Sequence, residues 1–137
     1  MIDCMVIGDS IAVGVSMIRK ECVRYAKSGW NSNKWNREYL NKASNTKVET
    51  VIISLGANDT KDIDTEKNLR KLRESISGKR VFWISPGKDR KPRAQAAIEK
   101  IASEYNDTIL QRPTNHMSSD GVHPTMTGYK ELANQTK

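Results

Sequence analysis

The chain has no long apolar run. None of its stretches approaches the roughly 20 residues needed to cross a bilayer, which excludes a helical membrane span. Proline and glycine are sparse, 4 and 8 in 137 residues, and they never cluster into a linker. Internal repeats and low-complexity segments are absent as well. Those absences leave one domain, residues 1–137. Cysteine is limited to Cys4 and Cys22, too few for a zinc cluster at a recognisable spacing, so no metal is expected. Both fall in the first two predicted strands, where cysteine behaves as a small buried hydrophobe. They are expected as free core thiols, not as a disulfide. Acidic residues are the minority: 16 against 23 basic, a net charge of +7. That balance favours polyanionic partners. The basic residues are spread along the chain without a nucleic-acid motif, so no specific nucleic-acid partner is expected.

What is present is an alternation of strand and helix. Ile2–Ile7 reads as a first strand. The segment after Ser10 is apolar nearly all round and reads as a helix buried between layers, with Gly14 allowing close approach. A second strand is expected near Cys22–Ala26, running into the turn Lys27-Ser28-Gly29-Trp30. Trp35, Tyr39, Leu40 and Ala43 share one helical face. Val48–Leu55 is short, β-branched and almost continuously apolar, as a central parallel strand must be. Asp64 or Thr65 can cap the next helix, which Gly78 is expected to end. Arg80–Ser85 is a fourth strand, stopped by Pro86-Gly87. Pro92 suits the first turn of another helix. A short strand at Thr108–Leu110, a loop over 112–124 and a helix marked by Met126, Tyr129, Leu132 and Ala133 complete the chain. Five alternations call for an α/β fold with a parallel sheet of about five strands and helices on both faces.

Three motifs stand at strand exits: Gly8-Asp9-Ser10 after the first strand, Ser28-Gly29 after the second, Gly56-Ala57-Asn58-Asp59 after the third. In such a sheet all three converge on one edge. Asp120-Gly121-Val122-His123-Pro124 lies in the last loop, which can reach the same edge. These residue types suit acyl transfer, which needs a nucleophile, a base, a group to orient the base, and donors for the oxyanion. Ser10 is the candidate nucleophile. His123 is the candidate base, because an unperturbed imidazole titrates near pH ~6.5. Asp120, three residues earlier, is the candidate orienting carboxylate. The Ser10 N–H, the Gly29 N–H and the Asn58 amide are the candidate oxyanion donors.

Taken singly, each motif has an ordinary alternative. Gly-Asp-Ser and Ser-Gly are common turns, Asn58-Asp59 is a plausible Asx turn, and a lone histidine is often structural. Their order and their shared position at strand exits favour a hydrolytic site. His116 reads as loop surface. Asp9 and Asp59 read as carboxylates that fix loop geometry through backbone N–H groups. Trp30 is a candidate for stacking on a sugar ring, whereas Trp35 reads as helix packing. The basic loop Lys88–Arg93, with Lys88 and Arg90, is either a solvated loop or a clamp for an anionic substrate.

On Gly8-Asp9-Ser10 with Gly14, Ser28-Gly29, Gly56-Ala57-Asn58-Asp59 and Asp120–Pro124, the chain resembles the SGNH hydrolases, also called GDSL-type esterases and lipases. Gly128-Tyr129 adds to the likeness. The resemblance implies a three-layer α/β/α flavodoxin-like fold and a cofactor-free serine hydrolase. It implies Ser10, Asp120 and His123 as catalytic residues, with Ser10, Gly29 and Asn58 forming the oxyanion hole. Beyond the esters that the resemblance implies, the expected substrates are acylated small molecules or polysaccharides, short-chain and acetyl-like in the acyl part, and the positive charge adds anionic envelope polymers. The chain is short for the family, which leaves little room for a lid. Two rival expectations stand beside it: a cell-wall-degrading lysis enzyme, phage-encoded, on the same fold, and a non-catalytic carbohydrate-binding module. Only Met1 precedes the first strand, with no basic segment to open a signal peptide. The chain is therefore expected in the cytoplasm as synthesised, reaching an envelope after release.

Overall fold

Val51-Ile52-Ile53 and Val81-Phe82-Trp83-Ile84 have apolar neighbours on both sides along the chain, so both faces of each strand must be covered. The computed structural model describes residues 3–137 and places these runs in one five-stranded sheet. The elements are β1 (Cys4–Gly8), α1 (Ser10–Ile18), β2 (Val23–Ala26), α2 (Ser32–Ser44) and β3 (Thr50–Ser54). They continue with α3 (Thr65–Ser75), β4 (Arg80–Ile84), α4 (Pro92–Tyr105), β5 (Thr108–Leu110) and α5 (Met126–Gln135). The strand order is β2-β1-β3-β4-β5, all parallel. This is the flavodoxin-like, doubly wound arrangement with three layers.

The period of two along each strand divides the apolar side chains between two cores. Met5, Ile7, Val51, Ile53, Val81 and Trp83 pack with Trp35 of α2, Leu69 and Leu72 of α3, and Ile98 and Ile101 of α4. Val6, Ile52, Phe82 and Ile84 pack on the other side with α1 and α5, through Ile11, Ala12, Val15, Leu132 and Ala133. Each fully buried Leu or Ile contributes ~1.5–3 kcal/mol relative to exposure, so these two layers hold the fold. Trp35 is wholly buried, and its indole N–H donates to the Tyr25 carbonyl (2.8 Å).

The helices begin where side chains can satisfy their free N–H groups. Asp9, Asn31, Asp64 and Thr125 cap α1, α2, α3 and α5 with side-chain oxygens. α4 has no side-chain cap and begins with Pro92, whose missing N–H needs none.

The structure departs from the sequence expectations at three places. Cys4 and Cys22 are not free thiols: they form a disulfide, and Cys22 stands just before β2 rather than within it. The parallel pairing of β1 with β2 is the reason, because it sets Met5 opposite Val23 and so leaves the preceding residues adjacent. α1 is not buried all round; Met17 is 55% exposed, because sheet and α5 cover only part of its circumference. α3 ends at Ser75 with Ile76 extended, so Gly78 is not its terminator; Ile76 instead turns into the core. The expected start of the first strand, at Ile2, lies outside the described residues.

Candidate active site

The site begins at Gly8, the last residue of β1. It pairs with Ala26 of β2 on one side and Ser54 of β3 on the other. A side chain at Gly8 would fall 1.7 Å from the Ser54 carbonyl oxygen, and its φ is +132°. Only glycine lets the two strands stay this close while the chain turns into α1. The exits of the three neighbouring strands therefore stand side by side, with Ser10, Gly29 and Asn58 two, three and four residues beyond paired positions.

Asp9 is 2% exposed and lies beneath the turn. Its Oδ1 accepts the Ile11 N–H (3.1 Å) and the Ser54 hydroxyl (2.9 Å). Burial pushes its carboxyl up to about 6, against the opposing pull of the Ser54 and backbone hydrogen bonds and of Arg112. Ser10, the first residue of α1, then projects its hydroxyl at the sheet edge.

Ser10 Oγ and His123 Nε2 are 2.9 Å apart, across 113 residues of chain. His123 Nδ1 and Asp120 Oδ2 are 2.8 Å apart. The other carboxylate oxygen of Asp120 accepts the N–H groups of Val122 (2.9 Å) and His123 (3.0 Å) and the Ser118 hydroxyl (2.8 Å). These bonds, first the His123 backbone N–H and then its ring, hold the Asp120 carboxyl well below the usual carboxylate range. Ser10, His123 and Asp120 thus form one hydrogen-bonded line, with the free end of the line at the serine.

Gly29 has φ +80°, and nothing lies within 4 Å of where its side chain would be. The turn positions a bare backbone against open space. Asn58 Nδ2 donates to the Trp30 carbonyl (3.2 Å), which ties the third strand's loop to the second's and sets which way the amide faces. An amide nitrogen carries two protons, so one remains after this bond. Among the described residues, neither the Ser10 N–H nor the Gly29 N–H has a backbone acceptor. Asp59 accepts the Ser32 N–H (2.7 Å), the Ser32 hydroxyl (2.6 Å) and the Thr65 hydroxyl (2.7 Å), clamping the starts of α2 and α3.

The three residues expected to contact substrate stand on two different strand-exit loops, Trp30 after β2 and Lys88 and Arg90 after β4. Trp30 packs on Tyr39, with the Lys34 ammonium over its ring at 5.2 Å. Lys88 and Arg90 are exposed beyond β4, and Arg90 donates to the Gly121 carbonyl (2.6 Å). His116 is exposed, and its carbonyl accepts the Thr125 N–H (2.8 Å).

Sequence reasoning missed the supports of this line. Arg112 donates to the carbonyls of Ser85 (3.1 Å) and Val122 (3.0 Å), bracing the His123 loop from below. Burial lowers its own pKa, while Asp9 and Asp120 act the other way and Arg90 adds to the lowering. The Ser118 hydroxyl reaches both Asp120 and the His123 carbonyl. Ser54 holds Asp9. A polar residue closing an otherwise apolar strand was the available signal for Ser54; Arg112 and Ser118 looked like any loop residues.

No protein-family model matches the chain, and no curated protein matches it either. Solved structures do. A GDSL-like lipase from Bacteroides thetaiotaomicron superimposes with a TM-score of 0.70 at 18% identity, over 97% of this chain and 84% of that one. An acetyl xylan esterase from Geobacillus stearothermophilus gives 0.67 at 18% identity, covering 96% and 90%. The C-terminal catalytic domain of a peptidoglycan O-acetyltransferase from Streptococcus pneumoniae gives 0.62 at 19% identity, covering 96% and 88%. The chain has the fold of the GDSL-type, or SGNH, hydrolases.

Proposed function

We propose that the protein is a serine esterase that removes short, acetyl-like acyl groups from a carbohydrate. The observation that carries this reading is the unbroken line Ser10–His123–Asp120, at 2.9 and 2.8 Å, ending at a sheet edge. Fold likeness supports the esterase class, and the acetyl xylan esterase and peptidoglycan O-acetyltransferase among the similar structures motivate a sugar ester.

In this mechanism Ser10 Oγ attacks the ester carbonyl carbon while His123 Nε2 takes its proton. The carbonyl π electrons move to oxygen, and the oxyanion is met by the Ser10 and Gly29 N–H groups and the remaining Asn58 amide proton. Asp120 holds the ring so that Nδ1 carries a proton and Nε2 faces the serine. Collapse of the intermediate breaks the bond to the sugar oxygen, which leaves with the proton from His123. Water then attacks the acyl-serine and gives a proton to His123; as the C–Oγ bond breaks, His123 returns that proton to Ser10 Oγ and the carboxylic acid leaves. No metal or organic cofactor enters any step.

The test is hydrolysis of p-nitrophenyl esters from acetate to octanoate by wild type and Ser10→Ala, with fluorophosphonate labelling in parallel. Turnover best on acetate, lost with labelling in the variant, is the expected result. Wild-type turnover retained by Ser10→Ala overturns the mechanism. Binding of acetylated glycan with no turnover by wild type turns the reading to a carbohydrate-binding module.

A further inference from the structure

The loops beyond β3, β4 and β5 carry cations that the proposed chemistry does not use. Two hollows flank Arg90. The larger, about 510 Å³, lies between the loop after β4 and the loop after β5, with Lys88, Arg90 and Arg112 on its walls and Met117 among them. The smaller, about 280 Å³, lies between the loops after β3 and β4, and Lys61, Lys91 and Arg93 join Arg90 there. Together the walls hold six cations against two carboxylates, Asp89 and Asp59. Asp59 already accepts three hydrogen bonds from Ser32 and Thr65.

The arginines of this rim are held by neutral groups. Arg90 donates to the Gly121 carbonyl, Arg93 to the Thr60 carbonyl (2.6 Å), and Arg112 to the Ser85 and Val122 carbonyls. Among the described residues, none of the six cations forms an ion pair. Elsewhere Arg19, Arg37, Arg70 and Arg73 each pair with a carboxylate, whereas Arg24 and Arg80 stand singly and not in a cluster. A guanidinium anchored by a carbonyl keeps its charge, and Arg90, which is exposed and spends only one terminal nitrogen on Gly121, has N–H groups left for an oxyanion. Such an arrangement is organised in advance for an oxyanion.

The rim also adjoins the site. Gly121, which Arg90 holds, follows Asp120 directly, and Gly56 in the smaller hollow opens the loop that carries Asn58.

We infer that this double hollow centred on Arg90 binds the alcohol part of the substrate, and that this part is a glycan bearing carboxylates on its sugar rings. The mixed wall favours that chemistry: Met117 and the aliphatic stems of Lys88 and Arg90 can meet a ring, while the fork of Arg90 meets a carboxylate attached to it. A flexible phosphodiester chain has no such ring-borne group to match the apolar part of the wall. The inference rests on the esterase reading for the statement that the bound polymer is substrate; the binding itself does not.

Polygalacturonate without ester groups is the first probe, with neutral xylan as its counterpart, both measured by affinity electrophoresis at low and at physiological salt. Wild type is expected to bind polygalacturonate at least about tenfold more tightly than xylan, and less tightly as salt rises. Lys88→Ala/Lys91→Ala should weaken that binding about tenfold. Lys47→Ala/Lys79→Ala removes the same charge around a hollow at the opposite end of the sheet and should leave binding unchanged. Equal loss in both double variants, equal binding of xylan, or tighter binding of poly(glycerol phosphate) each overturns the proposal. Acetylated polygalacturonate is the second probe, and Lys88→Ala/Lys91→Ala should raise its KM with kcat nearly kept. The first probe has no ester, so an inactive Ser10 would leave the binding result intact. The failure of one reading is thereby separable from that of the other.

Discussion

Asp120 holds His123 twice, by its ring and by its backbone. Oδ2 is 2.8 Å from Nδ1, and Oδ1 accepts the His123 N–H at 3.0 Å. Asp120→Asn should separate these roles. An asparagine keeps an oxygen for the backbone N–H groups but can offer the ring an N–H donor, which disfavours the tautomer that faces Ser10. We expect kcat to fall about 10²–10⁴-fold with little change in thermal stability. Asp120→Ala should lose the loop bonds as well and melt earlier. Wild-type kcat in Asp120→Asn would remove Asp120 from the mechanism.

The buried carboxyl of Asp9 makes stability depend on pH. Its folded value, about 6, lies above the ordinary 3.8. The folded state therefore holds this proton more tightly than the unfolded state. The stabilisation is complete below about pH 3.8 and is lost as pH rises through about 6. It amounts to about 3 kcal/mol. Asp9→Asn keeps an acceptor for Ile11 and Ser54 and does not titrate. Urea unfolding from pH 4 to 8 should show wild type falling relative to the variant across that window. Parallel curves would show that Asp9 is solvated in a way the structure does not have.

Gly14 and Tyr129 are coupled. A side chain at Gly14 would lie 2.2 Å from the Tyr129 ring, which packs flush against α1. Alanine in a helix is worth about 1 kcal/mol over glycine. Gly14→Ala should nevertheless destabilise the protein, because the ring must move. In a Tyr129→Ala background the same substitution should stabilise by about that 1 kcal/mol. Additive effects of the two substitutions would argue against the contact.

The Cys4–Cys22 disulfide spans 18 residues and joins the start of β1 to the approach to β2. A loop of this size is worth about 3 kcal/mol through the unfolded chain. Cys4→Ser/Cys22→Ser, or reduction, should lower Tm by several degrees. Esterase activity below the melting range should persist, because the bond lies at the end of β1 opposite Ser10. The bond is kept only in oxidising surroundings. Unchanged Tm on reduction would indicate that the bond does not form.

Much of the architecture was legible because burial on both faces leaves a plain trace: β-branched runs such as Val51-Ile52-Ile53 read as central strands from residue type alone. Gly8-Asp9-Ser10 and Gly56–Asp59 stood out because each follows such a run, whereas Ser28-Gly29 follows a mixed strand and Asp120–Pro124 lies in a loop. The disulfide was not, since its pairing depends on which strand lies beside β1, a tertiary fact. The surface of α1 was misread for a related reason: Met17 is apolar, yet no layer reaches it. Arg112 and Ser118 were missed because their partners are backbone carbonyls and a carboxylate brought near only by the folded 112–124 loop. Local pattern records what a segment buries, not which distant loop it will brace.

The His123 and Asp120 side chains are 41% and 51% exposed. A line left this open to solvent sets the fate of any acyl group carried by Ser10. In the proposed mechanism this exposure favours attack by water on the acyl-serine, and a competing hydroxyl would have to be seated beforehand to capture the acyl group. If the rim seats a glycan as inferred, kinetic partition of the acyl group between water and a second sugar would read the occupancy of that rim.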